Sequence, residues 1–387
     1  APKDWGHIIA PTNRRPFGFN WEEWGRIDAM EVLAEAEKVF KTDPAHTYLT
    51  GHSMGGHGTW FLGVTYPDRF AAIAPCASYP DIAKYSRPNA DAANVGEKHF
   101  PMICQAANAG RVLDLRKNFL QSGIYILHGD SDNVVPIEQV RRMREILGTF
   151  HPDFCYYEYP GGSHWYSNES VDWKPIFDYF RWHSVPSADK VKQLEFHTAS
   201  PAISAKDYWV TINQQDTAYD FSSVSFKQTD NGISGTTSNV ASLTFDFPAL
   251  KLPAEASITI DNETIPADGT RPAVLKKVSG KWTLVEEIPV TEKYPSRYGG
   301  FKQAFDNRVV FVYATGGNKE ENTWYQNKAR FDAETFLYRG NGSIDVIADK
   351  DFIPSAYADR NVVLYGNASN NKAWNKLLKN APIQVLK

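Results

Sequence analysis

The sequence predicts an α/β-class chain in three parts. These are an α/β domain over 1–183, a β-rich sandwich-like domain over 190–290 and a small α/β domain of flavodoxin-like character over 294–387. Three observations predict this. Up to about His183, short apolar and β-branched runs alternate with helix-compatible segments, as in a parallel sheet covered on both faces. From Val191 to about Val290 the runs become short, alternating and punctuated by turn residues. From about Tyr294 the buried-strand and helix patterns return.

Composition sets the outer bounds. The chain has 387 residues, 42% hydrophobic and 22% charged, which is ordinary for a soluble globular protein of two or three domains. A net charge of -4 argues against nucleic acid or an anionic membrane as partner. No apolar run is long enough to span a bilayer. Ala1-Pro2-Lys3-Asp4-Trp5 is not a signal peptide. Cys76, Cys104 and Cys155 show neither metal-ligand spacing nor a disulfide framework, so they read as small buried hydrophobes. Neither a metal nor a cofactor is expected. Aromatic content of 13% suits clefts that hold sugars, and suits large cores equally. Every histidine lies at or before His197, so chemistry that pairs serine with histidine belongs to the first half.

In order along the chain, Gly6-His7-Ile8-Ile9-Ala10-Pro11 reads as a short buried strand, and 12–20 as loop. Trp21 to Phe40 carries Ile27, Met30, Leu33, Val39 and Phe40 among Glu and Lys, an amphipathic helix. Asp43-Pro44 ends it. Thr47-Tyr48-Leu49-Thr50 is then a strand that passes through Gly51-His52-Ser53-Met54-Gly55 into a helix running to Tyr66. A strand that turns sharply into a helix at Gly-x-Ser-x-Gly is a nucleophile elbow. Its serine is strained, Gly51 and Gly55 relieve the clash across the turn, and the first helix amides, Met54's among them, converge on an oxyanion site.

Phe70 to Pro75 is a second buried strand. Residues 78–118 are irregular, with Pro80, Pro88, Gly96 and Pro101, and serve either as a lid or binding loop or as a structural excursion. The run Gly123 to Leu127 is a strand leading into His128-Gly129-Asp130-Ser131-Asp132-Asn133-Val134-Val135-Pro136, with two carboxylates at the strand end. Pro136 opens a helix from Ile137 to Phe150. Phe154 to Tyr159 is a further strand, ending in Pro160-Gly161-Gly162-Ser163-His164-Trp165, and a helix follows from Val171 to His183. The order serine, acid, histidine is that of α/β-hydrolase triads, and a serine needs a base and an orienting carboxylate to become a nucleophile.

These three motifs resemble the catalytic domain of the prolyl oligopeptidase family and related bacterial esterases, including carbohydrate and feruloyl esterases of the same fold. The resemblance runs from the start of the chain to about His183. It implies an α/β-hydrolase fold with Ser53 as nucleophile, Asp132 as acid and His164 as base, Asp130 being the rival acid. It further implies about three more strands and a helix ahead of the elbow, with a second oxyanion donor after the third strand. Only Gly6 to Pro11 precedes the first helix here. The hydrolase domain therefore reads as N-terminally incomplete, part of a longer or processed protein. A second chain or a preceding segment is expected to complete its sheet. The second oxyanion donor has no candidate. No propeller domain is visible, so peptide specificity does not carry over.

After the linker Ser184 to Ala188, the β-rich runs include Tyr208 to Ile212, Ser223 to Phe226, Ser242 to Phe247 and Ser257 to Ile260, with turns at Asp230-Asn231-Gly232 and Asp261-Asn262. Tyr208, Trp209 and Trp282 serve there either as carbohydrate or partner contacts or as packing of a buttressing domain. In the last part, Arg308 to Ala314, Ile344 to Ala348 and Asn361 to Tyr365 read as strands, and 322–338 and 373–378 as helices. Pro382 to Val385 reads as one more strand. Thr315-Gly316-Gly317-Asn318 is too weak a motif for a nucleotide site.

The expected function is serine hydrolysis of an ester through an acyl-enzyme, such as an acyl or feruloyl group on a carbohydrate. Met54 supplies an oxyanion donor, and His52 and Trp165 are the expected substrate-binding side chains. The alternatives are a serine peptidase like the prolyl oligopeptidases and, in another class, a catalytically incomplete binding or scaffold protein. The substrate is a small molecule, polysaccharide or peptide, and the location secreted or periplasmic.

Overall fold

The computed structural model describes residues 3–14, 20–82, 85 and 100–385. Parts of the 12–20 loop and of the 78–118 stretch lie outside the described residues. The chain divides into two compact units. One is mainly Val32–Gly299, and the other is Gly300–Lys387 with Ala10–Phe19 and Glu23–Glu31. The division falls inside α1 (Glu23–Phe40).

The first unit opens with four parallel strands in sequence order: β1 (Tyr48–His52), β2 (Ala72–Cys76), β3 (Gly123–Gly129) and β4 (Phe154–Tyr159). The inner strands β2 and β3 are buried throughout, which is why they read as continuous apolar runs. Both faces are covered. Ala72, Ala74, Cys76 and Leu127 pack with Ile176 and Phe180 of α4 (Lys174–Phe180). On the opposite face, Ile73 meets α2 (Met54–Thr65), where a Cβ added to Gly63 would lie 3.0 Å from the Ile73 side chain. Between β3 and β4, α3 (Glu138–Leu147) buries Val140, Met143 and Leu147.

Residues 6–11 form no strand, and Ile8 is 67% exposed. Among the described residues the run joins no sheet, and an extended segment without a hydrogen-bonded ladder stays outside the core. Cys76 is buried, but Cys104 is half-buried and Cys155 exposed. Cys155 lies on the edge strand β4, where alternate side chains face outward.

The same unit continues into two five-stranded sheets. They are built from β5 (Gln193–Thr198), β6 (Lys206–Asp207), β7 (Val210–Gln214), β8 (Ser222–Thr229), β9 (Gly232–Ser238), β10 (Ser242–Phe245), β11 (Glu255–Ile260), β12 (Glu263–Asp268), β13 (Ala273–Val278) and β14 (Lys281–Val285). The orders are β14-β13-β10-β7-β6 and β12-β11-β9-β8-β5. Asp261 and Asn262, both at positive φ, make the two-residue turn between β11 and β12. The two sheets share one core, which includes Phe196, Trp209, Phe226, Phe245, Ile258 and Trp282. Tyr208, Trp209 and Trp282 are all buried there, so they pack the sandwich and present no binding face.

The second unit holds a three-stranded parallel sheet, with β15 (Val309–Tyr313) between β16 (Asp345–Ala348) and β17 (Asn361–Tyr365). Two helices follow its strands: α5 (Lys319–Gly340) after β15 and α6 (Lys372–Leu377) after β17. Helix α5 starts three residues earlier than its apolar pattern, because Asn318 and Glu321 form a reciprocal capping box. Pro382 to Val385 forms no strand. The Gln384 amide instead donates to the carbonyls of Leu378 and Ala381, tying the segment back to the end of α6.

Candidate active site

The site is built at the carboxyl ends of β1, β3 and β4. At the end of β1 the chain turns at Ser53, whose φ of 59° and ψ of -116° are costly for a residue with a side chain. The turn is pinned on both sides. Ser53 N donates to the Cys76 carbonyl at the end of β2, and His57 N donates to the Ser53 carbonyl, each at 2.9 Å. A Cβ on Gly51 would lie 2.3 Å from the Gly55 carbonyl oxygen, and one on Gly56 would lie 2.6 Å from the Cys76 carbonyl oxygen. A Cβ on Gly55 would meet nothing within 4 Å. The glycines that the turn requires are therefore 51 and 56, rather than 51 and 55. No side chain caps α2, so its first amides, beginning with Met54, are open to an anion.

The loops after β3 and β4 close against each other through glycine. A Cβ on Gly129 would lie 2.3 Å from the Gly162 carbonyl oxygen, and Ser131 N donates to that oxygen at 2.9 Å. Gly161 adopts a φ of +67°. This contact brings the acid and the histidine together. His164 Nδ1 lies 2.8 Å from Asp132 Oδ2, and Nε2 lies 2.9 Å from Ser53 Oγ. A carboxylate accepts, so Nδ1 carries the hydrogen and Nε2 is left to accept from the serine hydroxyl.

Asp132 is fully buried at its side chain. Burial by itself would raise its carboxyl. Hydrogen bonds from His128, His164 and the amides of Val135 and Val134 outweigh that and hold it well below the ordinary value. Asp130 has a different place. Its Oδ1 accepts from Gly161 N and from Ser131 Oγ, both at 2.8 Å, which fastens the two loops.

His52 Nε2 donates to the His164 carbonyl at 2.7 Å, and its ring sits edge-on to Trp165, with centroids 4.9 Å apart. Burial lowers the His52 ring below the ordinary histidine value. Trp165 is 53% exposed. His52 therefore braces the histidine loop, while Trp165 presents a face to solvent beside the base. Cys76, directly beneath the elbow, is no rival nucleophile, because burial pushes its thiol up to about 12. Among the described residues, no three His, Cys, Asp or Glu converge as a metal site.

One contact was not foreseen from the sequence. His128, at the end of β3, places its Nε2 3.3 Å from Asp132 Oδ2, the oxygen that His164 also meets. Its spacing of four residues from Asp132 across a tight strand-end loop is the only signal the sequence carries for it.

A strained serine, an imidazole and a buried carboxylate joined in series define the serine-hydrolase class of site. The chain belongs to the Esterase family, whose model, described as "Putative esterase", matches residues 12–228. That membership places it in the α/β-hydrolase superfamily. A relative from Arthroderma benhamiae, described as an uncharacterized secreted protein, is 29% identical over 168 residues, which is 41% of this chain and 18% of that protein. The chain thus spans under a fifth of the curated relative it matches. Among solved structures, a thermostable esterase is 20% identical with a TM-score of 0.30, over 42% of this chain and 37% of its own. A puromycin-hydrolyzing peptidase from Mycobacterium tuberculosis is 22% identical with a TM-score of 0.30, over 35% and 21%. A truncated carbohydrate esterase from gut microbiota is 19% identical with a TM-score of 0.30, over 41% and 66%. Likeness at this level says nothing about activity.

Proposed function

We propose that the chain hydrolyses carboxylic esters through an acyl-enzyme on Ser53, with acyl groups carried on carbohydrate, feruloyl among them, as the substrate class. The observation that carries this reading is the unbroken series Ser53 Oγ, His164, Asp132, with links of 2.9 and 2.8 Å. Ser53 Oγ attacks the ester carbonyl as His164 Nε2 takes its proton. The Met54 amide stabilises the oxyanion. Collapse of the adduct breaks the bond to the leaving alcohol, which receives the proton from His164. Water, deprotonated by the same imidazole, then attacks the acyl-serine and releases the acid. Asp132 holds the imidazole in the required tautomer throughout.

Trp165, half exposed next to the base, is the platform for the leaving alcohol in this reading. An aromatic face beside the point of departure suits a sugar ring. The hydrogen bond between Ser53 and His164 weighs against a catalytically incomplete scaffold. β1 carries no strand on its outer side among the described residues. A strand from a preceding segment or a second chain is the partner this reading calls for there. A secreted or periplasmic location belongs to the same reading, supported by the relative described as secreted.

The test is a comparison of kcat/KM on p-nitrophenyl acyl esters, feruloylated oligosaccharides and peptidyl anilides, including X-Pro. Preference for the esters is expected. Hydrolysis of peptidyl amides with no ester preference would assign the chain to the serine peptidases instead.

A further inference from the structure

Two histidines meet the acid of the site at one oxygen. His128 has a side chain with no solvent exposure. Its Nε2 lies 2.9 Å from the Val135 carbonyl oxygen and 3.3 Å from Asp132 Oδ2. A carbonyl only accepts, so Nε2 carries the hydrogen and donates it to Val135, with the Asp132 carboxylate 3.3 Å from the same nitrogen. Its other ring nitrogen, Nδ1, is buried with no hydrogen-bond partner. A ring kept only to fill space would be served better by an apolar side chain, because a buried polar atom without a partner is costly. Only Nε2 is used, and it reaches the same oxygen, Oδ2, that accepts from His164 Nδ1 at 2.8 Å.

We propose that His128 is a positioning residue that tunes how strongly Asp132 holds a proton on the base His164. The proposal rests on the triad reading above. Each donor to Oδ2 takes up part of the charge that would otherwise stabilise the imidazolium. The geometry that carries this is the meeting of both rings at one oxygen, Oδ2, at 3.3 and 2.8 Å. The charged and titratable groups tied to His128 are Asp132 on the adjoining loop, which also holds His164, and His52 at the end of β1.

The experiment is the pH dependence of kcat/KM for ester hydrolysis in wild type and three variants, each first checked for a cooperative thermal melt. His128→Leu removes the donor, and its acidic limb is expected to move to higher pH by about half a unit or more, a threefold change in the proton equilibrium. His128→Gln keeps an N–H where Nε2 stands and is expected to return the limb toward wild type. His128→Asn, whose N–H falls near the Nδ1 position, is expected to leave it shifted. An unmoved limb in a folded His128→Leu variant overturns the proposal, as does equal behaviour of the Gln and Asn variants. A wild type without serine-dependent hydrolysis at any pH would instead sink the triad reading.

Discussion

Two parallel sheets in this chain end in glycine-bearing turns into a helix, and they treat that turn in opposite ways. After β1, the turn strains Ser53 to a φ of 59° and leaves the start of α2 without a side-chain cap. After β15, the turn Thr315-Gly316-Gly317-Asn318 answers its polar groups from within. Asn318 Oδ1 accepts from Glu321 N and Glu321 Oε2 accepts from Asn318 N, both at 2.9 Å. Gly317 N donates to Asn322 Oδ1 at 2.9 Å. Asp349, fully buried, accepts from Thr315 Oγ1 and from Lys372 N. The difference teaches that glycine at a strand end does not make a site. Strain held in place next to open amides makes one, and the same residue types turned on each other make a stable helix start.

The sharpest break in the comparison is at Asp132. Asp132→Asn keeps the shape but removes the acceptor that sets the tautomer of His164, and kcat is expected to fall by about 10⁴. The same change has a stability signature. The folded carboxyl lies below its ordinary value of 3.8, so the stability it contributes is present above 3.8 and is lost as the pH falls through the folded value. Thermal melts should therefore show wild type and Asp132→Asn converging as the pH is lowered past 3.8.

The next effect separates the glycines of the elbow. Gly51→Ala drives a Cβ to 2.3 Å from a main-chain oxygen, and a loss of about 3 kcal/mol with loss of hydrolysis is expected. Gly55→Ala enters open space in a helix, and stability should hold or rise by up to about 1 kcal/mol. Chemical denaturation of the two variants checks this. Equal damage from both would mean that the turn is not built as described.

The smallest effect lies at the other turn. Asn318→Ala removes the cap of α5 and should lower the stability of the second unit by about 1 kcal/mol, with ester hydrolysis unchanged. Loss of hydrolysis there would erase the contrast between the two strand ends.

Much of this was legible in the sequence because it is local. The elbow, the acid loop and the glycine pair before His164 each lie within a dozen residues and carry their own turn chemistry. Other features depend on long-range pairing. The run 6–11 has the composition of a strand but lacks a ladder. Pro382 to Val385 is held by the two amide bonds of Gln384. Tyr208, Trp209 and Trp282 could be read as ligands or as core until two sheets closed over them. The need for Gly56 arises from the end of β2, twenty residues away in sequence, and the role of His128 from a loop that folds back on it.

The central claim is that Ser53 is an activated nucleophile. It is tested most directly by mass spectrometry of the intact protein after a fluorophosphonate probe, wild type beside Ser53→Ala. One adduct per chain, mapped to Ser53 and absent from the variant, is the predicted result. A folded wild type that takes up no probe, or takes it up equally in the variant, would contradict the account.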